Sequence, residues 1–311
     1  MRAARIHRFG PPDVIVLDDL LRPAPDPDQV LLRVAAAGVG PWDALIREHK
    51  SAVMVPLPLT LGADLSGIVE VTGGDVHHFK PGDMVYGVTN PQFIGANAEY
   101  ALASANMIAK KPMSLSFDEG ASAPVVAVTA WQMLFDYAKA QPGQSVLIHG
   151  AAGNVGAYAV QLARQAGLRV FATASSGDIS FVKSLGADTV VDYKARRFED
   201  AVPLVDIVLD LVGGDTRARS FAVIKPGGIL VSTVSKPTAQ DDRSRGVRAV
   251  FFLVEVTSER LDKLTDLFDS GKLKARVGTV LPLDQVRTAH EMLAGAPHLG
   301  GKIVLHIADP V

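Results

Sequence analysis

The sequence contains no cysteine, which excludes disulfides, thiolate-held zinc and thiol nucleophiles together. Aromatic residues make up only 6%, so the stacking platforms that bind single-stranded nucleic acid are not favoured. Neither sign of charge is in excess: 31 Lys and Arg stand against 33 Asp and Glu, a formal net charge of −2. That balance gives no electrostatic reason to expect nucleic acid or an anionic membrane as partner. No uninterrupted apolar run approaches the ~18 residues that span a bilayer. The N-terminal Met1-Arg2-Ala3-Ala4-Arg5-Ile6-His7-Arg8 carries charge with no apolar stretch behind it, unlike a signal peptide. A cytoplasmic location is therefore expected. Internal repeats and low-complexity segments are also lacking. His77, His78, His290 and His298 show no metal-ligand spacing and read as surface or core residues. No Ser-His-Asp arrangement is visible.

What is present is a 311-residue chain, 48% hydrophobic and 21% charged, long enough for two domains with full cores. The first third is β-rich, with branched runs at Val30–Val34, Gly67–Val71 and Met84–Val88 bounded by Gly and Pro clusters. At Ser116 a helix cap with Glu119 three residues on predicts a long helix to about Lys139. Buried-type strands then alternate with helices, beginning at Val146-Leu147-Ile148, Val170-Phe171-Ala172-Thr173 and Val190-Val191. They continue at Val205–Leu209, Ile229–Ser232 and Val250-Phe251-Phe252. Such alternation predicts an α/β fold with a doubly wound parallel sheet covered on both faces. A helix from about Glu259 to Ser270 stops at Gly271. The β-type tail Lys302–Ile307 is expected to rejoin the first domain. The charged run Asp241-Asp242-Arg243-Ser244-Arg245 reads as a solvated loop.

The richest local signal is the turn Gly150-Ala151-Ala152-Gly153-Asn154-Val155-Gly156, which follows a strand and opens an amphipathic helix. Glycines there permit a tight turn and close approach of the backbone to a pyrophosphate, whose charge is held by N–H groups at the helix start. A glycine triplet alone also serves strand-to-helix packing; the ordered strand, turn, helix and next strand point to a dinucleotide. NAD sites place an acid about 20 residues further on, against the ribose 2′-hydroxyl. Here Ser175 and Ser176 stand at the strand end and the first carboxylate is Asp178, so NADP is favoured over NAD. No basic residue follows at once, and Asp178 leaves NAD open.

Several dispersed segments resemble the medium-chain dehydrogenase/reductase superfamily, in its zinc-free quinone oxidoreductase (zeta-crystallin-like) branch. They include Ala37-Gly38-Val39-Gly40-Pro41-Trp42-Asp43, Leu61–Val69, Phe79–Asp83, Ala98-Glu99-Tyr100 and Val128-Thr129-Ala130-Trp131. The glycine turn, Asp210–Gly214 and Gly301-Lys302-Ile303-Val304-Leu305 complete them. The resemblance implies a GroES-like β-rich substrate domain, residues 1–121 with 261–311. It also implies a Rossmann domain over 122–260, a site in the cleft between the two, and a homodimer. Zinc-dependent relatives would place cysteine at Gly40 and a His-Glu pair at Ala63-Asp64. Neither Gly40 nor Ala63 has a ligand atom, so no metal is expected. Gly40 and Leu45 also replace an Asn and a Tyr common in quinone reductases, which leaves a less polar pocket.

By the same resemblance Thr129 contacts the nicotinamide and Tyr193 lies against the adenosine end, although a helical threonine can simply bond back to its own helix and Tyr193 can simply pack. Val212 and Gly213 pass the ribose, and Lys302 is placed with the cofactor; Phe251, Phe252 and Leu253 border the nicotinamide, with core packing the stronger reading of the first two. Asp43 with Gly40 and Trp42 are the cleft candidates, Asp43 being equally readable as a loop-capping acid. No general acid stands out, so protonation from solvent or a hydroxyl network is the working expectation. The activity implied is NADPH-dependent reduction of a quinone or α,β-unsaturated carbonyl, a small-molecule substrate. Two alternatives stay open: a non-catalytic, regulatory dinucleotide-binding protein, and an alcohol dehydrogenase-like oxidoreductase.

Overall fold

Short branched and aliphatic runs fit a pleated surface, and the glycines and prolines between them close the turns; the first part of the chain accordingly forms strands. The computed structural model describes residues 1–236 and 246–309, so the charged run Asp241–Arg245 lies outside the described residues. The chain divides into two units, Met1–Val125 with Glu255–Val311, and Val126–Val254.

The first unit opens with β1 (Arg2–Ile6), β2 (Ile15–Asp19), β3 (Gln29–Val39), α1 (Pro41–Arg47), β4 (Leu59–Thr60) and β5 (Asp64–Thr72). It continues with β6 (Met84–Val88), β7 (Tyr100–Ser104), β8 (Ile108–Lys110) and α2 (Phe117–Ser122). The long strand β3 is central and pairs antiparallel with both β5 and β7. Its inward residues Val30, Leu32 and Val34 pack with Leu65, Val69 and Val85 in one core. The capping box forms: Glu119 N–H donates to Ser116 Oγ (3.2 Å), and Ser116 N–H to Glu119 Oε2 (2.8 Å). The single long helix expected behind it does not. α2 stops at Ser122, α3 (Pro124–Trp131) restarts, and a π-type turn covers Gln132–Tyr137. Pro124 is the cause, since it has no N–H to donate to the preceding turn, while Ala123 before it keeps right-handed dihedrals (φ −99°, ψ −40°).

The second unit alternates strand and helix: β9 (Ser145–Ile148), α4 (Asn154–Gln165), β10 (Arg169–Ala174), α5 (Ile179–Ser184), β11 (Thr189–Asp192) and β12 (Val205–Asp210). Then come α6 (Gly214–Ser220), β13 (Ile224–Ser232) and β14 (Arg248–Phe251). All pairings are parallel, in the order β11-β10-β9-β12-β13-β14. Val146, Leu147 and Ile148 of β9 are wholly buried, as a sheet covered on both faces requires. Strand order reverses at β9, and ligands of such sheets bind beyond the carboxyl ends of the strands at that reversal.

The tail returns to the first unit through α7 (Ser258–Asp269), β15 (Val277–Pro282), α8 (Val286–Leu293) and β16 (Lys302–His306). α7 ends at Ser270 followed by Gly271 at φ 70°. β16 pairs antiparallel with β3, setting Val304 opposite Gly38. Among the described residues no helix is long and apolar enough to cross a membrane.

Candidate functional site

Beyond β9 the chain turns through Gly150, whose φ of 67° is left-handed and free of strain only for glycine. Ala151 N–H donates to Thr173 O (3.2 Å) and ties the turn to β10. α4 then starts from Gly153, and no side chain caps it. The first-turn N–H groups of Asn154, Val155 and Gly156 thus present the helix's positive end. Close packing demands Gly156: a Cβ there would stand 2.3 Å from Gly150 O and 2.7 Å from Ala151 Cα.

A cavity of ≈ 420 Å³ adjoins this turn, within the second unit. Of the residues singled out from the sequence, Gly150, Ala152, Gly153, Ser175, Asp178, Tyr193 and Val212 line it. The others lie elsewhere. Ala151 is buried beneath the turn, Asn154, Val155 and Gly156 form the first turn of α4, and Ser176 is exposed beside the cavity without lining it. Gly213, at φ 77°, donates its N–H to Asp210 Oδ1 (2.7 Å) at the start of α6. Phe251 ends β14, Leu253 is largely exposed, and Thr129 is buried in α3.

Other lining residues carried no weight in the sequence reading: His149, Thr173, Arg196, Arg197 and Arg219. The basic run Lys194-Ala195-Arg196-Arg197 directly after Tyr193 was the available signal. His149 is wholly buried and bonds Thr173 Oγ1 through Nδ1 (3.1 Å) and Ser220 Oγ through Nε2 (3.0 Å). Ser220 spends its own proton on Thr216 O (2.7 Å), so His149 Nε2 is the donor and Nδ1 accepts from Thr173. Burial pushes the imidazole down to about 4, which keeps it neutral. The Ser175 hydroxyl donates to Asp178 Oδ2 (2.6 Å), so this carboxylate also faces the cavity. Glu199 pairs with both Arg197 (3.0 Å) and Arg219 (3.0 Å).

The candidates of the first unit form a separate, buried cluster. Asp43, the third residue of α1, reaches back so that its Oδ2 accepts from the N–H of Gly40, which caps the helix (2.7 Å). Its Oδ1 has no hydrogen-bond partner among the described residues. Burial pushes this carboxyl up to about 7, against the pull of the Gly40 N–H and Lys302. Asp64 accepts from Val125 N–H (2.8 Å) and from Lys302 Nζ (2.8 Å), both charged side chains being almost fully buried. Lys302 also stands 4.0 Å above the Trp42 ring. Its ammonium thus bonds Asp64 and covers Trp42, both within the first unit. A side chain at position 40 would collide with that ring, since a Cβ there falls 2.3 Å from Trp42 Cη2. Ala63 offers no donor, and an ammonium already occupies the neighbourhood. These residues do not fit zinc.

Residues 185–305 match the family described as zinc-binding dehydrogenase, and residues 26–132 the alcohol dehydrogenase GroES-like domain. Quinone oxidoreductase of Pongo abelii is 31% identical over 98% of this chain and 97% of its own length. The 2-methylene-furan-3-one reductase of Solanum lycopersicum is 35% identical over 98% of this chain and 79% of its own. The solved quinone oxidoreductase of Coxiella burnetii superposes with a TM-score of 0.90 at 35% identity, covering 99% of both chains.

Proposed function

The chain belongs to the medium-chain dehydrogenase/reductase superfamily, and we propose that it uses NADPH to reduce a quinone or an α,β-unsaturated carbonyl without a metal. At the coarser level it is an NAD(P)H-dependent oxidoreductase that binds a nicotinamide dinucleotide. The observation that carries the reading is the Gly150–Gly156 turn, uncapped at α4 and opening onto a cavity at the reversal of strand order.

Bound there, the dinucleotide supplies the hydride. The first-turn N–H groups of α4 hold its pyrophosphate, because a helix N-terminus favours negative charge. Ser175 and Tyr193 flank the adenosine end, and Arg196, Arg197 and Arg219 support the choice of a 2′-phosphate. Thr129, Val212, Gly213, Phe251 and Leu253 are assigned to the nicotinamide half. The substrate class is supported by two relatives named for a quinone and for a methylene-furanone, both conjugated acceptors. Such acceptors delocalise the charge that arrives with hydride, so the Lewis acid an alcohol dehydrogenase needs for its alkoxide is dispensable. Solvent supplies the proton, and the working unit is a homodimer.

The test follows nicotinamide absorbance in the presence of a panel of quinones and enones. Turnover with NADPH, indifferent to chelator and to added zinc, is expected. Absence of turnover across the panel with either nicotinamide cofactor refutes the reading.

A further inference from the structure

Three guanidinium groups line the nucleotide cavity, yet two of them share one carboxylate. Glu199 Oε1 accepts from Arg197 Nη2 (3.0 Å) and from Arg219 Nη1 (3.0 Å), and Oε2 lies 3.2 Å from the same Arg219 nitrogen. The Glu199 side chain is only 12% exposed, whereas Arg197 is 67% and Arg219 34% exposed. Burial by itself would raise this carboxyl, but its own backbone N–H and the two arginines hold it below the ordinary glutamate value. Arg219 also pairs with Asp215 (2.8 Å) and lies over the Phe198 ring. Arg196 donates to Asp200 O.

Carboxylate and phosphate present the same oxygen edge to an arginine fork. We infer that Glu199 governs the choice between phosphorylated and unphosphorylated dinucleotide by occupying the two guanidiniums that a 2′-phosphate requires. Glu199 and Asp215 balance the charges of Arg197 and Arg219, whereas Arg196 bonds a backbone carbonyl and keeps its charge. A 2′-phosphate competes with Glu199 for these two guanidiniums, and its second negative charge favours the exchange. A 2′-hydroxyl displaces nothing and finds Asp178 nearby. Discrimination in the natural protein is therefore shallow, and Glu199 is what keeps it so. This inference rests on the reading that the cavity takes the adenosine end of the cofactor.

Calorimetric titration of the full chain with 2′,5′-ADP and with 5′-AMP separates the two ideas without turnover. Glu199→Gln, which keeps the shape and removes the charge, should tighten 2′,5′-ADP on the order of threefold to tenfold, the range two such ion pairs command. Binding of 5′-AMP should stay within about twofold. Adding Arg219→Gln should cancel the gain. Arg197→Gln, at a mostly exposed side chain, should weaken 2′,5′-ADP alone, which keeps the test decisive even if Glu199→Gln folds poorly. An equal shift for both nucleotides, or none, overturns the role of Glu199 and leaves the cofactor reading standing. Failure of both nucleotides to bind the unaltered protein overturns both.

Discussion

Gly156→Ala sets two effects of opposite sign against each other. Within a helix, alanine is the better residue by about 0.8–1.0 kcal/mol, so on propensity alone the variant would be stabilised. The new Cβ, however, would fall 2.3 Å from Gly150 O, 2.7 Å from Ala151 Cα and 2.9 Å from Ala151 C. Every one of these atoms is backbone, so no side chain can swing aside. Restoring ordinary contact near 3.4 Å moves α4 about 1 Å from the turn or forces Gly150 out of its left-handed conformation. Overpacking of this kind costs about 1–3 kcal/mol, so the expected net change is a loss of up to about 2 kcal/mol after the propensity gain. The same displacement carries the N–H groups of the first turn away from the pyrophosphate. Bonds to a charged group contribute about 1.5–3 kcal/mol each, and losing one weakens dinucleotide binding tenfold or more. Thermal unfolding and cofactor titration of the variant are the assays. Gly153→Ala provides the comparison, since its Cβ would meet Gly150 O at 3.3 Å, a tight contact relieved by a shift of a few tenths of an ångström, and should cost less. A Gly156→Ala protein as stable as the parent, with cofactor affinity within about twofold, would refute the steric argument.

Asp43, whose carboxyl is pushed from 3.8 to about 7 by burial, binds its proton more tightly folded than unfolded. Its stabilisation is complete below about pH 4 and is lost as pH rises through about 7. The amide introduced by Asp43→Asn stays neutral throughout, so denaturant unfolding across that window should show a flatter profile; a profile parallel to the parent would contradict the assignment. Lys302→Met strands Asp64, wholly buried, without its counter-ion and should cost about 3–5 kcal/mol. The double variant Asp64→Asn/Lys302→Met should recover most of that loss, and unfolding free energies for the pair decide. Gly40→Cys should lower the melting temperature, because its Cβ meets the Trp42 ring, and should bind no zinc. One equivalent of zinc by metal analysis would overturn the steric exclusion.

Local chemistry was legible wherever a few neighbouring residues decide the outcome. Ser116 with Glu119 announces a helix start, Gly271 a helix stop, and the branched runs after Ser145 the buried parallel strands. Pro124 should have broken the predicted helix, but the uninterrupted small and apolar residues around it masked the break. Asp43 is balanced between capping and site roles in the sequence, and only the structure shows that one of its oxygens accepts from the Gly40 N–H.

By itself, then, the sequence determined the α/β class, the glycine turn and the lack of ligand atoms at Gly40 and Ala63. Each depends on residue type and on spacings of a few positions. The tertiary structure alone decided which residues surround the nucleotide cavity. Setting β11, β10, β9 and β12 side by side brings Arg196 and Arg197 from one connection, Arg219 from α6 and His149 from the turn around one space. Tertiary structure likewise placed Lys302 with Asp64 and Trp42, because β16 pairs with β3 across nearly the whole length of the chain. Strand neighbours are chosen by the packing of the whole sheet, and no local spacing encodes them.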